Sequence, residues 1–354
     1  MSTGLETDSE ILPHALVADL HGPRPLIFWA DLAASAVVGW GAFVVTTAAA
    51  PLSIVQVLAF TISAFALYRG VCFTHELAHL RRRAVPGFET AWNVLFGVPL
   101  LLPSFTYLGV HQSHHSLSTY GTKDDPEYLP FADSRRMTVM FGIQSSLLLP
   151  VLLVVRFLVL SPVGLLLPPF HRWLETHASS FAMNPHYRRS VAPEMAAKMR
   201  RWELAMLAFW GTGLALAYVE VLPARVFVVW FATLVFISAV NTARVLGAHE
   251  YETDGAARSR DGQLRDSIDT PGGPWTELWA PVGLRYHALH HYYPGIPYHN
   301  LGTAYRRIVQ TVPVPARYME STSPSLRRSL TALYAKAKRR GTALRESMIR
   351  TPGA

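Results

Sequence analysis

Histidine dominates the chemistry this chain can do. His75-Glu-Leu-Ala-His79, His111-Gln-Ser-His114-His115 and His287-Ala-Leu-His290-His291 form one H-x-x-x-H box and two H-x-x-H-H boxes, and His249 stands apart from them. Together they offer nine imidazoles, and a nitrogen-rich set suits a borderline transition metal such as iron or zinc. Nine ligands exceed what one ion takes, so the set reads as a two-metal site with two irons expected. His75 and His79, four apart, stack one turn apart on a single helix face. In H-x-x-H-H the first and fourth residues share a face and the fifth widens it. Three rings can then surround one metal or bridge toward a second. His249 follows Asn241 by eight residues, about two helical turns, so both can address one pocket.

A ligating imidazole is neutral at the bound nitrogen, and its other N–H needs an acceptor. Glu76, Asp124, Asp125, Glu127, Glu250, Asp266 and Asp269 stand near enough in sequence to supply it. The remaining histidines, His14, His21, His171, His177, His186 and His299, read as polar residues at a membrane surface. The first box also spells H-E-x-x-H, the zinc-protease signature with Glu76 as general base, but that reading leaves two boxes unexplained. Glu76-x-x-His79 echoes carboxylate-bridged di-iron bundles, which need a second Glu-x-x-His that the sequence lacks.

The elements that must hold these boxes are apolar. Half of the residues (50%) are hydrophobic, 16% are charged, and the mean hydropathy is positive, which places the chain among integral membrane proteins. A crossing helix needs roughly 20 apolar residues. Segments 26–50, with Asp31, and 52–73, with Arg69 near its end, qualify and are separated by Pro51 alone. Segments 204–222 and 226–244 make a second pair, broken at Pro223-Ala-Arg225. Two such hairpins return the chain to one side, so every box shares that side. Arg81-Arg82-Arg83, Arg135-Arg136, Arg188-Arg189, Arg200-Arg201 and the basic tail lie there too, which makes it the cytoplasmic side; Arg225 is nearly alone opposite. Segment 138–170 is apolar but interrupted by Pro150, Arg156, Pro162, Pro168 and Pro169. It is expected to be re-entrant or interfacial, or to cross twice as two short helices.

The first 25 residues carry Glu6, Asp8, Glu10 and Asp19 and lack the basic start of a signal peptide. A single cysteine, Cys72, excludes an internal disulfide. Much of the +8 net charge comes from the region after Tyr305, which has eleven Lys or Arg against two Glu. Beside a membrane such a run either meets anionic lipid or is a solvated amphipathic tail helix, and nucleic acid is not expected as a partner. The chain divides into a segment 1–25, one membrane domain 26–310 and a basic tail 311–354.

The boxes resemble those of the membrane fatty acid desaturase and hydroxylase superfamily. Gly121-Thr-Lys-Asp-Asp-Pro-Glu-Tyr128 is similar to its continuation after the second box, and Leu284-Arg-Tyr-His-Ala-Leu-His-His-Tyr-Tyr-Pro294-Gly-Ile-Pro297 to its third-box region. The resemblance implies an all-α integral membrane fold, with four transmembrane helices in two hairpins under a cytoplasmic helical cap that holds a histidine-rich di-iron site. It carries over His75, His79, His111, His114, His115, His287, His290 and His291 as iron ligands, with His249 matching an additional one. It also likens Asn241 to a residue with a water-mediated contact, at a spacing that departs from the pattern. The activity implied is O₂-dependent oxidation of an unactivated methylene in a fatty acyl or lipid chain, with desaturation the leading outcome. Hydroxylation or ketolation of a lipid, alkane or carotenoid is the alternative, and an H-E-x-x-H zinc membrane protease the alternative of another class. Electrons must come from a separate ferredoxin-like or cytochrome donor with its reductase, because Pro271-Gly-Gly273 follows Thr270 and not the histidine of a haem motif. Trp92, Trp275 and Trp279 either line the acyl slot or pack.

Overall fold

The computed structural model describes residues 12–81, 83–311 and 316–350; Glu6, Asp8, Glu10 and Arg82 lie outside them. Regular structure among the described residues is all helical, and β pairing is confined to isolated bridges such as His249 with Ser267. Among the described residues, four helices are long and apolar enough to cross a membrane: Pro25–Ala48, Ile54–His79, Arg135–Leu166 and Arg225–Leu246. The first two, α1 (Pro25–Ala48) and α2 (Ile54–His79), form the expected first hairpin. Pro25 opens α1, where its missing N–H costs nothing. Ser53 caps α2 by accepting from the Gln56 N–H at 3.2 Å. Between them Gly39 lets Leu67 approach and offers its carbonyl to Ser63 Oγ at 2.9 Å, the close contact that small residues permit.

After the first box the chain does something the sequence reading missed. Helix α3 (Phe88–Trp92) runs on through a π-turn at Asn93–Gly97 and an irregular stretch to Pro103, inserted among the apolar helices. Exposed carbonyls there would be costly in an apolar medium. Trp92 Nε1 bonds the Gly70 carbonyl at 2.7 Å, while Trp40, Trp210 and Trp230 donate to Leu95, Val98 and Pro99 at 2.8, 3.1 and 2.8 Å. Indole stitching, with Gly70 admitting Phe96, holds the insertion. The chain then rises into α4 (Val110–His114), the second box.

Segment 138–170 is not the pair of short helices that was the alternative to a re-entrant or interfacial element: it is one helix up to Leu166. Helix α5 (Arg135–Leu166) is continuous over 32 residues and takes π-turns at Gln144–Leu148 and Val155–Leu160. Pro150 and Pro162 each follow such a turn, where the missing N–H is tolerated. The start of α5, and the chain that follows the next helix, lie near the histidine end. Before α5, Phe131 packs on Tyr251 (4.9 Å between centroids) and Asp133 pairs with Arg340 at 2.6 Å. Within it, Arg156 Nε donates to the Ala178 carbonyl at 2.6 Å, and soon afterwards the Phe181 and Met183 N–H groups bond Thr106 and Pro126, both at 2.8 Å. By Phe181 and Met183, after one further helix, the chain is back beside the second-box region.

Helix α6 (Pro168–His177) follows, and here His171 corrects its reading as a surface residue. It is buried, with Nε2 2.8 Å from Glu203, which also holds Arg156 at 2.7 Å. Arg189 is likewise buried and serves the carbonyls of Phe105, Ser179 and Leu108, so it does not belong to a basic surface. The span expected over 204–222 is the later part of α7 (Pro193–Tyr218), whose first turns carry Lys198, Arg200, Arg201 and Glu203. Those charges keep α7 out of the four most apolar helices, although it exposes Leu204, Phe209 and Leu214. A short connection leads into α8 (Arg225–Leu246), and Trp210 packs on Trp230 at 4.4 Å to complete the second hairpin. Beyond α8 the chain adds α9 (Arg260–Asp266), α10 (Thr276–Trp279), α11 (His287–Tyr292), α12 (Tyr298–Thr311), α13 (Ala316–Glu320) and α14 (Leu326–Arg350). Leu12, Val17 and Leu20 cover α11 and α12 from outside, sharing a core with Leu289, Tyr293 and Ile308.

Candidate metal centre

Four elements bring the nine histidines together: the end of α2, α4, the turn after α8, and α11. His75, His79, His111, His115 and His290 present ring nitrogens all within 4.8 Å of one another. His114, His249 and His291 form a second group on the same criterion. His287 joins it, with Nε2 2.9 Å from His249 Nε2 and 3.2 Å from His291 Nε2. The His115 and His291 rings stack at 4.1 Å between the groups. Helical geometry explains the division. Residues four apart, His75/His79, His111/His115 and His287/His291, stay within one group, whereas His114 and His290, at the fourth position of their boxes, cross to the other.

Short helices need anchors to aim their side chains. Gln112 binds the Gly109 N–H behind α4 and donates to the Ala78 carbonyl, so the first and second boxes are tied directly. Asp269 Oδ1 caps α11 through the Ala288 and Leu289 N–H groups at 2.7 and 3.2 Å, and Tyr318 donates to Oδ2 at 2.6 Å. Burial pushes the Asp269 carboxyl up to about 7.

The outer nitrogens set the tautomers. His114 Nδ1 lies 2.9 and 3.0 Å from the two oxygens of Asp125, itself fully buried and accepting the Gly121 and Glu127 N–H groups at 2.9 Å each. His111 Nδ1 lies 3.1 Å from both oxygens of Glu127 and 2.9 Å from Tyr107 Oη. His249 Nδ1 is 3.7 Å from Asp266, too far for a hydrogen bond. Tyr120 bridges them, 2.9 Å from Nδ1 and donating to Asp266 at 2.9 Å. With these Nδ1 protons engaged, the Nε2 atoms carry lone pairs.

Those lone pairs converge. His79 and His290 Nε2 stand 3.1 Å apart, and His111 and His115 Nε2 3.0 Å apart. Two acceptors at that distance repel unless a cation or proton lies between them. Both His75 nitrogens and the Nδ1 atoms of His115, His287 and His290 are buried with no hydrogen-bond partner in the protein. Orphaned nitrogens beside converging lone pairs fit metal ions. Burial, and then the neighbouring imidazoles, hold His111, His115, His287, His290 and His291 well below the usual histidine range, in the neutral form that ligates. For His114 burial pulls the same way, but Asp125 outweighs it and the net shift is upward. Burial also pushes Glu127 up to about 7, while Asp266 is held low because His249, Arg258 and Tyr120 outweigh its burial.

Of the acids considered from sequence, Asp125, Glu127 and Asp266 serve ring nitrogens, directly or through Tyr120. Glu76 accepts the Tyr298 N–H at 3.0 Å, Asp124 is exposed, and Glu250 pairs with Lys336. Asn241 binds Arg244 at 3.1–3.2 Å and not a histidine partner. Trp92 is a packing residue and Trp275 is exposed. Tyr107, Tyr120 and Gln112 were missed; their signal is position, each being adjacent to or inside the second-box region. The first box's histidines join three from the other boxes, an arrangement a zinc protease built on H-E-x-x-H has no use for.

Residues 49–322 match the fatty acid desaturase family. The chain is also 36% identical over 340 residues, 94% of each chain, to the ceramide hydroxylase of Caulobacter vibrioides (strain NA1000 / CB15N). It therefore belongs to the fatty acid desaturase family and is an oxidoreductase acting on lipids.

Proposed function

We propose that this member of the fatty acid desaturase family is a di-iron lipid hydroxylase whose substrate is a ceramide-type lipid. The observation that carries the metal reading is the convergence of nine imidazoles as two groups. His75, His79, His111, His115 and His290 would hold one iron, and His114, His249, His287 and His291 the other. Likeness to a ceramide hydroxylase over nearly the whole of both chains supports hydroxylation over the desaturation favoured from sequence. Bound iron would supply the O₂ chemistry that side chains lack. The overall change takes one C–H bond, one O₂, two electrons and two protons to one C–OH and one water.

The chain's own residues do the rest. Asp125, Glu127 and the Tyr120–Asp266 pair fix the imidazoles as neutral Nε2 donors, and the buried walls exclude water. Arg81, Arg83, Arg135, Arg136 and Arg188, all at the histidine end, support a cytoplasmic orientation. They also favour an acidic ferredoxin-like or cytochrome donor with its reductase.

The test is lipid analysis of cells expressing the chain. Ceramides that gain one oxygen support the reading. Lipids that lose two hydrogens instead would assign desaturation, and unchanged lipids from iron-loaded enzyme supplied with donor would reject the substrate class.

A further inference from the structure

Away from the histidines, a half-open cavity of about 810 Å³ lies between the start of α3 and the first turns of α7. Its lining includes Glu89, Glu194, Lys198, Arg201, Trp202 and Ala205. We propose that it receives the neutral, hydroxyl- and amide-bearing head of the lipid substrate; this rests on the ceramide-hydroxylase reading.

Depth is the first argument. The charged part of α7 ends at Glu203, and Leu204 and Phe209 beyond it are exposed as lipid-facing residues are. The cavity straddles that boundary, with Glu194, Lys198 and Arg201 above and Ala205 below. Trp202 sits at the level where an amphipathic indole is favoured. A lipid head lies at this height with its chains beneath.

Charge is the second. Two acids, Glu89 and Glu194, face two bases, Lys198 and Arg201, so the lining is neutral overall. Lys198 is already paired with Glu89. A phosphate head would meet carboxylates with too little uncommitted positive charge, whereas hydroxyl and amide groups can both donate and accept here. The volume is within the roughly 300–1,000 Å³ of small-molecule sites.

Connection is the third. Glu89 Oε1 accepts from Ser104 Oγ at 2.7 Å, and Ser104 is held by Asn93 at 2.8 and 2.9 Å. Ser104 opens the turn that leads to Tyr107, whose hydroxyl is 2.9 Å from His111 Nδ1. One short segment thus forms part of the cavity support and positions a histidine of the first group.

The probe is a short-chain ceramide carrying a photoreactive diazirine, used on the full-length, iron-loaded protein in detergent. Labelling should map to residues 192–205, with unlabelled ceramide competing and phosphatidylglycerol not. Ala205→Trp should cut labelling about tenfold and raise KM with kcat retained. Glu194→Gln should leave the fold intact and make phosphatidylglycerol a competitor, which keeps the idea testable if Ala205→Trp does not fold. Labelling elsewhere, or equal competition by both lipids in the parent protein, would overturn the proposal. Because labelling needs no turnover, a protein that labels here without hydroxylating ceramide refutes the functional reading alone. One that hydroxylates ceramide but labels elsewhere refutes the site alone.

Discussion

Asp125→Asn isolates one of the two histidine groups. Asp125 is fully buried and meets donors only: His114 Nδ1 at 2.9 and 3.0 Å, and the Gly121 and Glu127 N–H groups at 2.9 Å. Asparagine keeps the shape but turns one oxygen into an NH₂ that must face a donor. If that donor is the Gly121 N–H, the fold loses about 1–3 kcal/mol, the cost of an unsatisfied buried group. The His114 ring loses its charged acceptor, and loss of such a partner lowers metal affinity about 10–100-fold, or about 1.4–2.7 kcal/mol. The assay is anaerobic iron titration against a competing chelator, with iron per chain counted after dialysis. The parent should retain about two irons and Asp125→Asn about one, the remaining iron staying in the group of His75, His79, His111, His115 and His290. Glu127→Gln, acting on His111, should spare the other group. Two irons of unchanged affinity in a folded Asp125→Asn protein would refute the idea that this carboxylate orients a ligand.

His287→Ala should abolish product formation while membrane insertion and detergent elution stay as in the parent; retained product would remove His287 from the ligand set. Asp269 carries the pH dependence. Its folded pKa is raised from 3.8 to about 7, so its contribution to stability is complete below 3.8 and drains away as pH rises toward 7. Asp269→Asn should flatten thermal stability across that window, and an unchanged slope in detergent melts would refute the assignment. Gly70→Ala places a Cβ 2.0 Å from the fully buried Phe96 ring and should cost about 1–3 kcal/mol or more, with partial rescue by Phe96→Leu. Equal thermal stability of the single variant and the parent would show that the contact relaxes freely.

The boxes and the apolar helices were legible because both signals are local. Four-residue spacing fixes a helix face, and a run of apolar residues marks α1, α2 and α8. Which histidine shares a metal group with which was not legible. His114 and His115 are neighbours in the chain but belong to different groups, a division set by how α4 meets α2 and α11. Tyr120 lies 129 positions from His249, so no spacing rule connects them. In segment 138–170 the prolines suggested two short helices as one alternative, whereas Pro150 and Pro162 lie within one helix that takes π-turns before them. The insertion over 88–103 has no hydropathy signature at all, since three of its carbonyls are satisfied by tryptophans of α1, α7 and α8, and its own Trp92 donates outward to Gly70 of α2.

Those indole contacts also impose an order on how the protein is made. Val98 and Pro99 leave the ribosome more than a hundred residues before Trp210 and Trp230, the donors that bond them. Until the second hairpin is synthesised, that backbone has water or the translocon to satisfy it, but no tryptophan from α7 or α8. The second box follows directly on this segment, so the backbone leading into it gains two of its indole donors only when the later helices have arrived. A nascent chain stopped short of Trp210 would carry its first two histidine boxes complete in sequence and still have no floor beneath them.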